Sequence, residues 1–309
     1  MTDDQPLISI ALCTYNGETF LSEQLDSILN QDYKNFELII SDDCSTDNTS
    51  IILEDYNSRD QRIEILKSDY NQGYILNFEK AIKHCKGEIL FLSDQDDIWV
   101  KSKLTEISNC FVNNIDLVFH DSLFIDEKGK SLQRKMSDRF TLDQKINPLS
   151  FILFNAISGH ALAFRKKLLE NILPLPKGVH HDCWISFVAS CNKKLMYYNK
   201  PLVNYRQHNT SETDLLKLKK QKGKDSAAIR DSRLIERTNK FLEIENNPQR
   251  DKYNKFKNLL LRRKNQYISL NLFLFMSFDC QNIFRFKRKK GLIRMFYAFP
   301  YLWGIKLKK

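Results

Sequence analysis

The chain has 309 residues, 42% of them hydrophobic and 28% charged, a composition that excludes a disordered or collagen-like chain and suits one large domain or a domain with an appendage. Its net charge of +10 is uneven: residues 1–100 carry 7 Lys/Arg against 20 Asp/Glu, and residues 201–309 carry 26 against 9. An acidic front and a basic tail imply a site that uses a cation first and an anionic partner last.

Leu7–Leu12 reads as a buried strand, broken by Thr14-Tyr15-Asn16-Gly17. Phe20–Asn30 spaces its apolar residues as a helix does. Phe36–Ile40 is a second strand running into Ser41-Asp42-Asp43-Cys44, and Ser50–Asn57 begins another helix. Arg62–Leu66 is strand-like, Asn71-Gln72-Gly73 a turn and Ile75–His84 a helix. Ile89–Leu92 is an apolar strand ending in Ser93-Asp94-Gln95-Asp96-Asp97. Trp99–Phe111 is predicted helical and Asp116–His120 a strand. Strands alternating with helices predict βαβ units and a mainly parallel, Rossmann-like sheet, in which ligands bind at the carboxyl ends of the strands. The second half is less regular. Asn155–Phe164 holds Gly159-His160, Pro174 and Pro176 bound a loop before His180-His181-Asp182-Cys183-Trp184, and Met196–Tyr198 and Val203–Tyr205 look like strands before Arg206-Gln207-His208. A Lys-rich stretch at 215–225 reads as solvated, and a polar helical pair follows over about 226–270.

The seven cysteines are odd in number and contain no Cys-X-X-Cys, which argues against a disulfide framework or zinc site and fits a reducing cytosol. The acidic start Met1-Thr2-Asp3-Asp4 predicts no signal peptide, and no stretch reaches the roughly 18 uninterrupted apolar residues of a spanning helix.

Three carboxylates in the four positions 94–97 repel one another at a strand end. A hard divalent cation reverses that penalty and commonly keeps a substrate's phosphates in its shell. The cluster therefore suggests a site for a metal-bound nucleotide diphosphate; the competing reading is a solvated acidic loop, since Asp-X-Asp alone is common.

The ordered set Ala11-Leu12-Cys13-Thr14-Tyr15-Asn16-Gly17, Phe36–Asp47, Asn71-Gln72-Gly73 and Asp94-Gln95-Asp96-Asp97 resembles the family 2 glycosyltransferases, inverting enzymes of the GT-A fold. Gly159–Phe164, His181–Trp184 and Tyr205–His208 resemble its bacterial rhamnosyltransferase-like branch. The resemblance implies a catalytic domain over 1–214, with a nucleotide-binding half at 1–100 and an acceptor half at 101–214, and a helical basic region over 215–309. It implies that Asp43 accepts the N3–H of a uracil or thymine, a charge-assisted bond, with Tyr15 and Asp42 beside base and ribose. Turn capping is the alternative for the Asp42-Asp43 pair. Asp96 would bind Mn²⁺ or Mg²⁺ directly, His208 would be a third ligand or a diphosphate contact, and Asp94 would hold ribose or a metal-bound water. Arg206 would meet phosphate. Asp97 would extend the motif or cap the helix predicted from Trp99. Asp182 would be the catalytic base that takes the acceptor's proton. Gly159, His160, His181 and Trp184 would line the sugar or acceptor pocket, with ordinary packing as the alternative for Gly159 and Trp184.

Residues 285–309 hold Arg285, Lys287, Arg288, Lys289, Lys290, Arg294, Lys306, Lys308 and Lys309 and no acid, around the aromatic run Leu292–Ile305. Such a tail suits an anionic membrane surface; packing on the catalytic domain is the alternative, and nucleic acid is disfavoured because no nucleic-acid fold accompanies it. The expected protein is a cytoplasmic enzyme, peripheral on the inner membrane face, that moves a sugar, rhamnose first, from a UDP- or dTDP-sugar to a lipid-linked or growing surface glycan. Galactosyl, glucosyl or N-acetylhexosaminyl transfer is the runner-up. A nucleotidyltransferase would need a Gly-rich phosphate loop that Cys13–Phe20 lacks, and a noncatalytic sugar-nucleotide module leaves Asp182 without a task.

Overall fold

The computed structural model describes residues 5–112, 114–208, 226–289 and 291–308. The Lys-rich stretch at 215–225 and the boundary expected after residue 214 fall outside them. In chain order the elements are β1 (Ile8–Thr14), α1 (Leu21–Leu29), β2 (Phe36–Asp42), α2 (Thr49–Arg59), β3 (Ile63–Lys67), α3 (Tyr74–His84), β4 (Ile89–Ser93), β5 (Ile98–Trp99), α4 (Lys103–Ser108), β6 (Leu117–Ile125), β7 (Ser131–Lys135), β8 (Leu162–Arg165), α5 (Leu169–Ile172), α6 (His181–Cys191), β9 (Leu195–Arg206), α7 (Ala227–Glu243), α8 (Arg250–Arg263), α9 (Leu270–Phe278) and α10 (Cys280–Ile283), followed by a 3₁₀ segment over Gly291–Tyr301.

The strands form one sheet in the order β3-β2-β1-β4-β8-β6-β9-β5, with β7 beside β6. The first four are mutually parallel, and β6 and β9 are parallel. The antiparallel β8 joins the two halves between β4 and β6. β1 is buried along its whole length, as befits a parallel strand covered on both faces. Its side chains divide with a period of two. Ile8, Ile10 and Leu12 pack with Leu25, Leu53 and Leu104 of α1, α2 and α4 on one face. Ala11 and Cys13 pack with Phe78 of α3 and belong to the larger core on the other.

That second core runs on through Trp184 and Phe187 of α6 to Phe241, Tyr253 and Phe275 of α7, α8 and α9. The C-terminal helices are therefore continuous with the core of the sheet. The Phe187 and Phe241 rings stack at 3.9 Å, and the Tyr253 hydroxyl donates to the Pro148 carbonyl at 2.7 Å.

Two local expectations are corrected. Trp99 does not start a helix: Ile98 and Trp99 pair antiparallel with Asn204 and Val203, and the helix that follows is only Lys103–Ser108. A side chain that continues a helical pattern serves equally on a short edge strand, and tertiary pairing decides. The two strand-like runs after residue 195 are one strand, whose register against β6 shifts between Tyr198 and Pro201. Pro201 lacks an N–H for the ladder, and a bulge absorbs it.

The basic tail packs on the domain. Phe286 and Ala298 are fully buried. Arg294, 1% exposed, donates to the carbonyls of Lys289, Gln281, Arg285 and Lys287. Arg285 pairs with Asp143, and Arg288 donates to the Asp138 carbonyl. Among the described residues no helix is long and apolar enough to cross a membrane.

Candidate active site

β1, β2 and β4 run parallel in a register that sets Thr14 against Asp42 and Leu12 against Ser93. The loops leaving their carboxyl ends therefore meet along one edge. Asn16 adopts a left-handed φ of 48°, which Asn tolerates better than most residues. Its Oδ1 accepts the Thr46 N–H at 2.8 Å, and its own N–H reaches Ser45 Oγ at 2.9 Å, which locks the first loop to the second. Gln95 grips the first loop from the other side, accepting the Tyr15 N–H at 2.8 Å and donating to the Tyr15 carbonyl at 3.0 Å. A Cβ at Gly17 would stand 2.4 Å from Gln95 Oε1, so glycine is what lets Gln95 in. The Tyr15 side chain is left exposed.

Asp43 is buried and ties β2 to the start of α3: its two oxygens accept the N–H groups of Gln72 at 2.7 Å and Gly73 at 2.8 Å. Gly73 holds a φ of 83°, open to glycine without strain. Asp42 behaves differently. Its carboxylate accepts Thr14 Oγ1 at 2.7 Å, Ser45 Oγ at 2.5 Å and the Ser45 N–H at 2.9 Å. These bonds close the loop, in keeping with the turn-capping alternative for Asp42.

The acidic cluster separates into two groups. Asp96 Oδ2 lies 2.8 Å from His208 Nε2, and both side chains are largely covered. The His208 ring rests against Phe20, with centroids 4.9 Å apart. Behind them Asp97 is fully buried; its Oδ1 accepts the Arg206 N–H at 3.0 Å, and its Oδ2 has no hydrogen-bond partner. His160 Nδ1 stands 3.5 Å from that orphaned oxygen and 3.9 Å from Asp94 Oδ2. Burial, with Asp96 and Asp94 adding, pushes the Asp97 carboxyl well above the usual range. Burial also raises Asp94, but the His160 ring, with His181 and Lys103 adding, outweighs it and leaves that carboxyl lowered. Asp97 does not cap a helix; it anchors the end of β9.

This donor set fits a hard or borderline divalent cation: carboxylate oxygens, an imidazole and an unsatisfied buried oxygen. Asp94, Asp97 and His160 bring ligand atoms within 4.8 Å of one another. His160 Nε2 meets Ser122 Oγ at 3.0 Å, which leaves its Nδ1 facing Asp94 and Asp97; the Asp94 side chain is 42% exposed, against 19% for Asp96 and 9% for His208.

Asp182 sits in the first turn of α6, where the helix dipole favours a carboxylate. Burial overrides that benefit and, with Asp94 adding, drives its carboxyl from 3.8 up to about 7, against hydrogen bonds from the Cys183 N–H, Asn155 and the Gly159 N–H. His181 stacks on Phe78 at 4.0 Å, neither ring nitrogen has a hydrogen-bond partner, and burial pulls it down to about 4. A Cβ at Gly159 would come within 2.9 Å of His181 Nε2 and 3.8 Å of Asp182 Cβ. Gly159 thus allows the 3₁₀ turn Gly159–Ala161 to close over α6.

Two expected site residues lie elsewhere. Trp184 is buried, donates Nε1–H to the Ile172 carbonyl at 2.9 Å and stacks along Phe187 and Phe241. It is a core residue because α6 turns it away from Asp182 by two positions. Arg206 is also buried. Its guanidinium donates to the carbonyls of Asp96 at 2.9 Å and Glu127 at 2.8 Å, pairs with Glu23 at 2.5 Å and stacks 4.7 Å from the Phe20 ring. It holds the Asp96 loop in place, and at 1% exposed its guanidinium is turned into the protein.

Sequence reasoning missed Lys103 and Ser122. Lys103 is buried, donates to the His160 carbonyl at 2.7 Å and lies 3.4 Å from the Trp99 ring centroid. A lone lysine on a predicted helix carries no such signal. Gln95 was readable only as the spacer between two aspartates.

The profile described as "Glycosyl transferase family 2" matches residues 9–173, more than half of the chain. The UDP-Glc:alpha-D-GlcNAc-diphosphoundecaprenol beta-1,3-glucosyltransferase WfgD of Escherichia coli is 29% identical over 71% of this chain and 85% of its own length. The dTDP-rhamnosyl transferase RfbG of Shigella flexneri is 32% identical over 65% of this chain and 73% of its own. Among solved structures, S. aureus TarS 1-349 in complex with UDP-GlcNAc superposes with a TM-score of 0.61 at 18% identity, covering 95% of this chain and 87% of that one. With a sheet flanked by helices as in the GT-A fold, the chain belongs to glycosyl transferase family 2.

Proposed function

We propose that the protein is a metal-dependent inverting glycosyltransferase that takes a sugar from a UDP- or dTDP-sugar and passes it to a hydroxyl of a lipid-linked or growing polysaccharide. The observation that carries the reading is a carboxyl poised near neutrality, Asp182, at the edge where Asp43, Asp94 and the Asp96–His208 pair converge. Each Asp43 oxygen accepts one backbone N–H and keeps a second lone pair, which suits it to the N3–H of a uracil or thymine. Tyr15 is exposed beside it for the base.

Asp96 and His208 are the residues that would hold Mn²⁺ or Mg²⁺. When bound, the ion neutralises the diphosphate and the charge that appears on it as it leaves. Asp182 takes the proton from the attacking acceptor hydroxyl, and its raised pKa matches that task near pH 7. His181, uncharged at that pH, packs its buried ring beneath the turn at Gly159 and His160, and those two residues shape the floor between donor and acceptor. Arg206, Asp97 and Lys103 do not touch substrate; they hold the loops that do.

Glucosyl transfer to an undecaprenyl diphosphate-linked acceptor is a second reading, favoured by the Escherichia coli relative, while the Shigella flexneri relative favours dTDP-rhamnose. A lipid-linked acceptor places the enzyme on the cytoplasmic face of the membrane, docked through the 285–309 region, with residues 1–214 as the catalytic unit. The experiment is nucleotide release from UDP-glucose, UDP-galactose, UDP-N-acetylhexosamines and dTDP-rhamnose with Mn²⁺, for wild type and Asp182→Asn. One donor should be turned over by wild type and the variant should be slower by about 10²–10⁴-fold. Equal rates in the two proteins remove Asp182 as the base, and no release from any donor defeats the reading.

A further inference from the structure

α9 is apolar on every side, a composition that ordinarily marks a helix buried all round. Only half of it is. Leu272, Phe275 and Met276 enter the core, where Phe275 meets Phe256 of α8. Leu270, Leu274 and Phe278 recur every four residues and so share the opposite face. All three are exposed, Phe278 to 85%.

The Gly291–Tyr301 segment lies alongside. The Phe273 and Phe299 rings are 5.1 Å apart, and Phe299 stacks on Phe296 at 5.7 Å. The Ser269 N–H donates to the Leu302 carbonyl, and the Gly304 N–H to the Tyr267 carbonyl, each at 2.7 Å. This segment adds exposed Leu292, at 82%, and Phe296, at 64%. Two adjoining elements therefore extend one apolar surface. Exposed Tyr267 and Trp303 stand at its side, residues that favour a boundary between apolar and wet surroundings.

The charge around it selects the occupant. From residue 262 to the end the only acid is Asp279, which pairs with Lys252 at 2.5 Å. Arg262, Lys264, Lys289 and Lys306 are exposed cations on the same region. A second copy docked through this face would set like charges against like across a two-fold axis. An anionic lipid surface would meet them with the opposite sign.

We propose that the face built by α9 and residues 291–303 inserts into the headgroup boundary of an anionic bilayer. The inference sharpens the membrane part of the proposed function and does not depend on the donor site. It also changes the expected mode of attachment. Arg285, Arg288 and Arg294 are bound to the protein itself, so apolar insertion carries most of the affinity and the exposed lysines orient the approach.

The test is flotation of the full-length protein with vesicles of phosphatidylethanolamine and phosphatidylglycerol. The comparison is between wild type and a triple variant, Phe278→Ser, Leu292→Ser and Phe296→Ser, whose positions are exposed and leave the core intact. Wild type should float, and the triple variant should partition at least about 100-fold less. Raising salt from about 0.1 M to about 1 M, which shortens the screening length from roughly 10 to 3 Å, should weaken wild-type binding by less than about tenfold. Equal flotation of the two proteins, no flotation of wild type, or complete release by salt would overturn the proposal. So would light scattering that shows a wild-type dimer which the variant splits. Circular dichroism and UDP titration of the triple variant should match wild type.

Discussion

At the residue scale the sharpest consequence concerns Asp182. Its carboxyl titrates near 7 in the fold against about 3.8 in a free chain. Between those values the native state holds more protons than the unfolded one. Stability is therefore greatest below about pH 4 as far as this group is concerned, and falls as pH rises through the window to about 7. The charged form is disfavoured by on the order of 1–4 kcal/mol. Asp182→Asn should therefore melt a few degrees higher than wild type at pH 8 and show no such gain at pH 4, even though it loses turnover. Differential scanning calorimetry at the two pH values decides this; a variant less stable at pH 8 would mean that the carboxylate is well solvated. In activity the sign is opposite. As the proposed base, Asp182 must be ionised, so kcat/KM of the wild type should rise with pH to a plateau through an apparent pKa near 7.

The element scale separates residues that the sequence placed together. Arg206 ends β9 and His208 lies two residues beyond it; both matched the same motif, but the chain leaves the strand between them and the two side chains find different partners. His208 pairs with Asp96, while the Arg206 guanidinium braces the Asp96 and Glu127 carbonyls from inside. Arg206→Ala should cost about 2–4 kcal/mol of stability through unsatisfied buried carbonyls. It should also weaken Mn²⁺-dependent nucleotide binding indirectly, by freeing the loop; Arg206→Lys should restore neither fully, because an ammonium cannot reproduce the fork. Unchanged melting with lost binding would instead return Arg206 to the phosphate. Trp184 makes a parallel case. Trp184→Ala should destabilise by about 3–5 kcal/mol and leave the acceptor KM of the folded fraction unchanged, measured by chemical denaturation beside steady-state kinetics.

What could be read in advance follows the same division. The strands β1 to β4, their helices and the convergence of Tyr15, Asp43 and Asp94 were legible because apolar periodicity and turn residues are local signals. Trp99 was misread as helical because its strand exists only through pairing with Val203. Whether Asp42, Trp184 or Arg206 meets a ligand or the protein itself depends on partners 3 to 183 residues away, such as Ser45 and Glu23. No motif encodes that choice. Lys103 was invisible for the same reason: its value lies in reaching the carbonyl of His160.

At the scale of the whole molecule the catalytic sheet and the C-terminal helices share one core, from Ala11 and Phe78 to Phe241, Phe275 and Tyr301. The basic tail is thus part of the fold as well as a surface. Removing 285–309 would strip out Phe286, Arg294 and Tyr301 together and should lower stability sharply, so surface substitutions, not deletion, report on membrane attachment. The acidic edge and the cationic apolar face follow the charge asymmetry of the sequence. The measurement that bears most directly on the central claim is calorimetric titration with UDP and dTDP, in Mn²⁺ and in EDTA, for wild type and Asp96→Asn. Binding of one nucleotide by wild type in Mn²⁺, abolished by EDTA and weakened at least about tenfold in the variant, is the predicted result. The same affinity with and without metal, or in wild type and variant alike, would contradict a metal-held diphosphate at this edge.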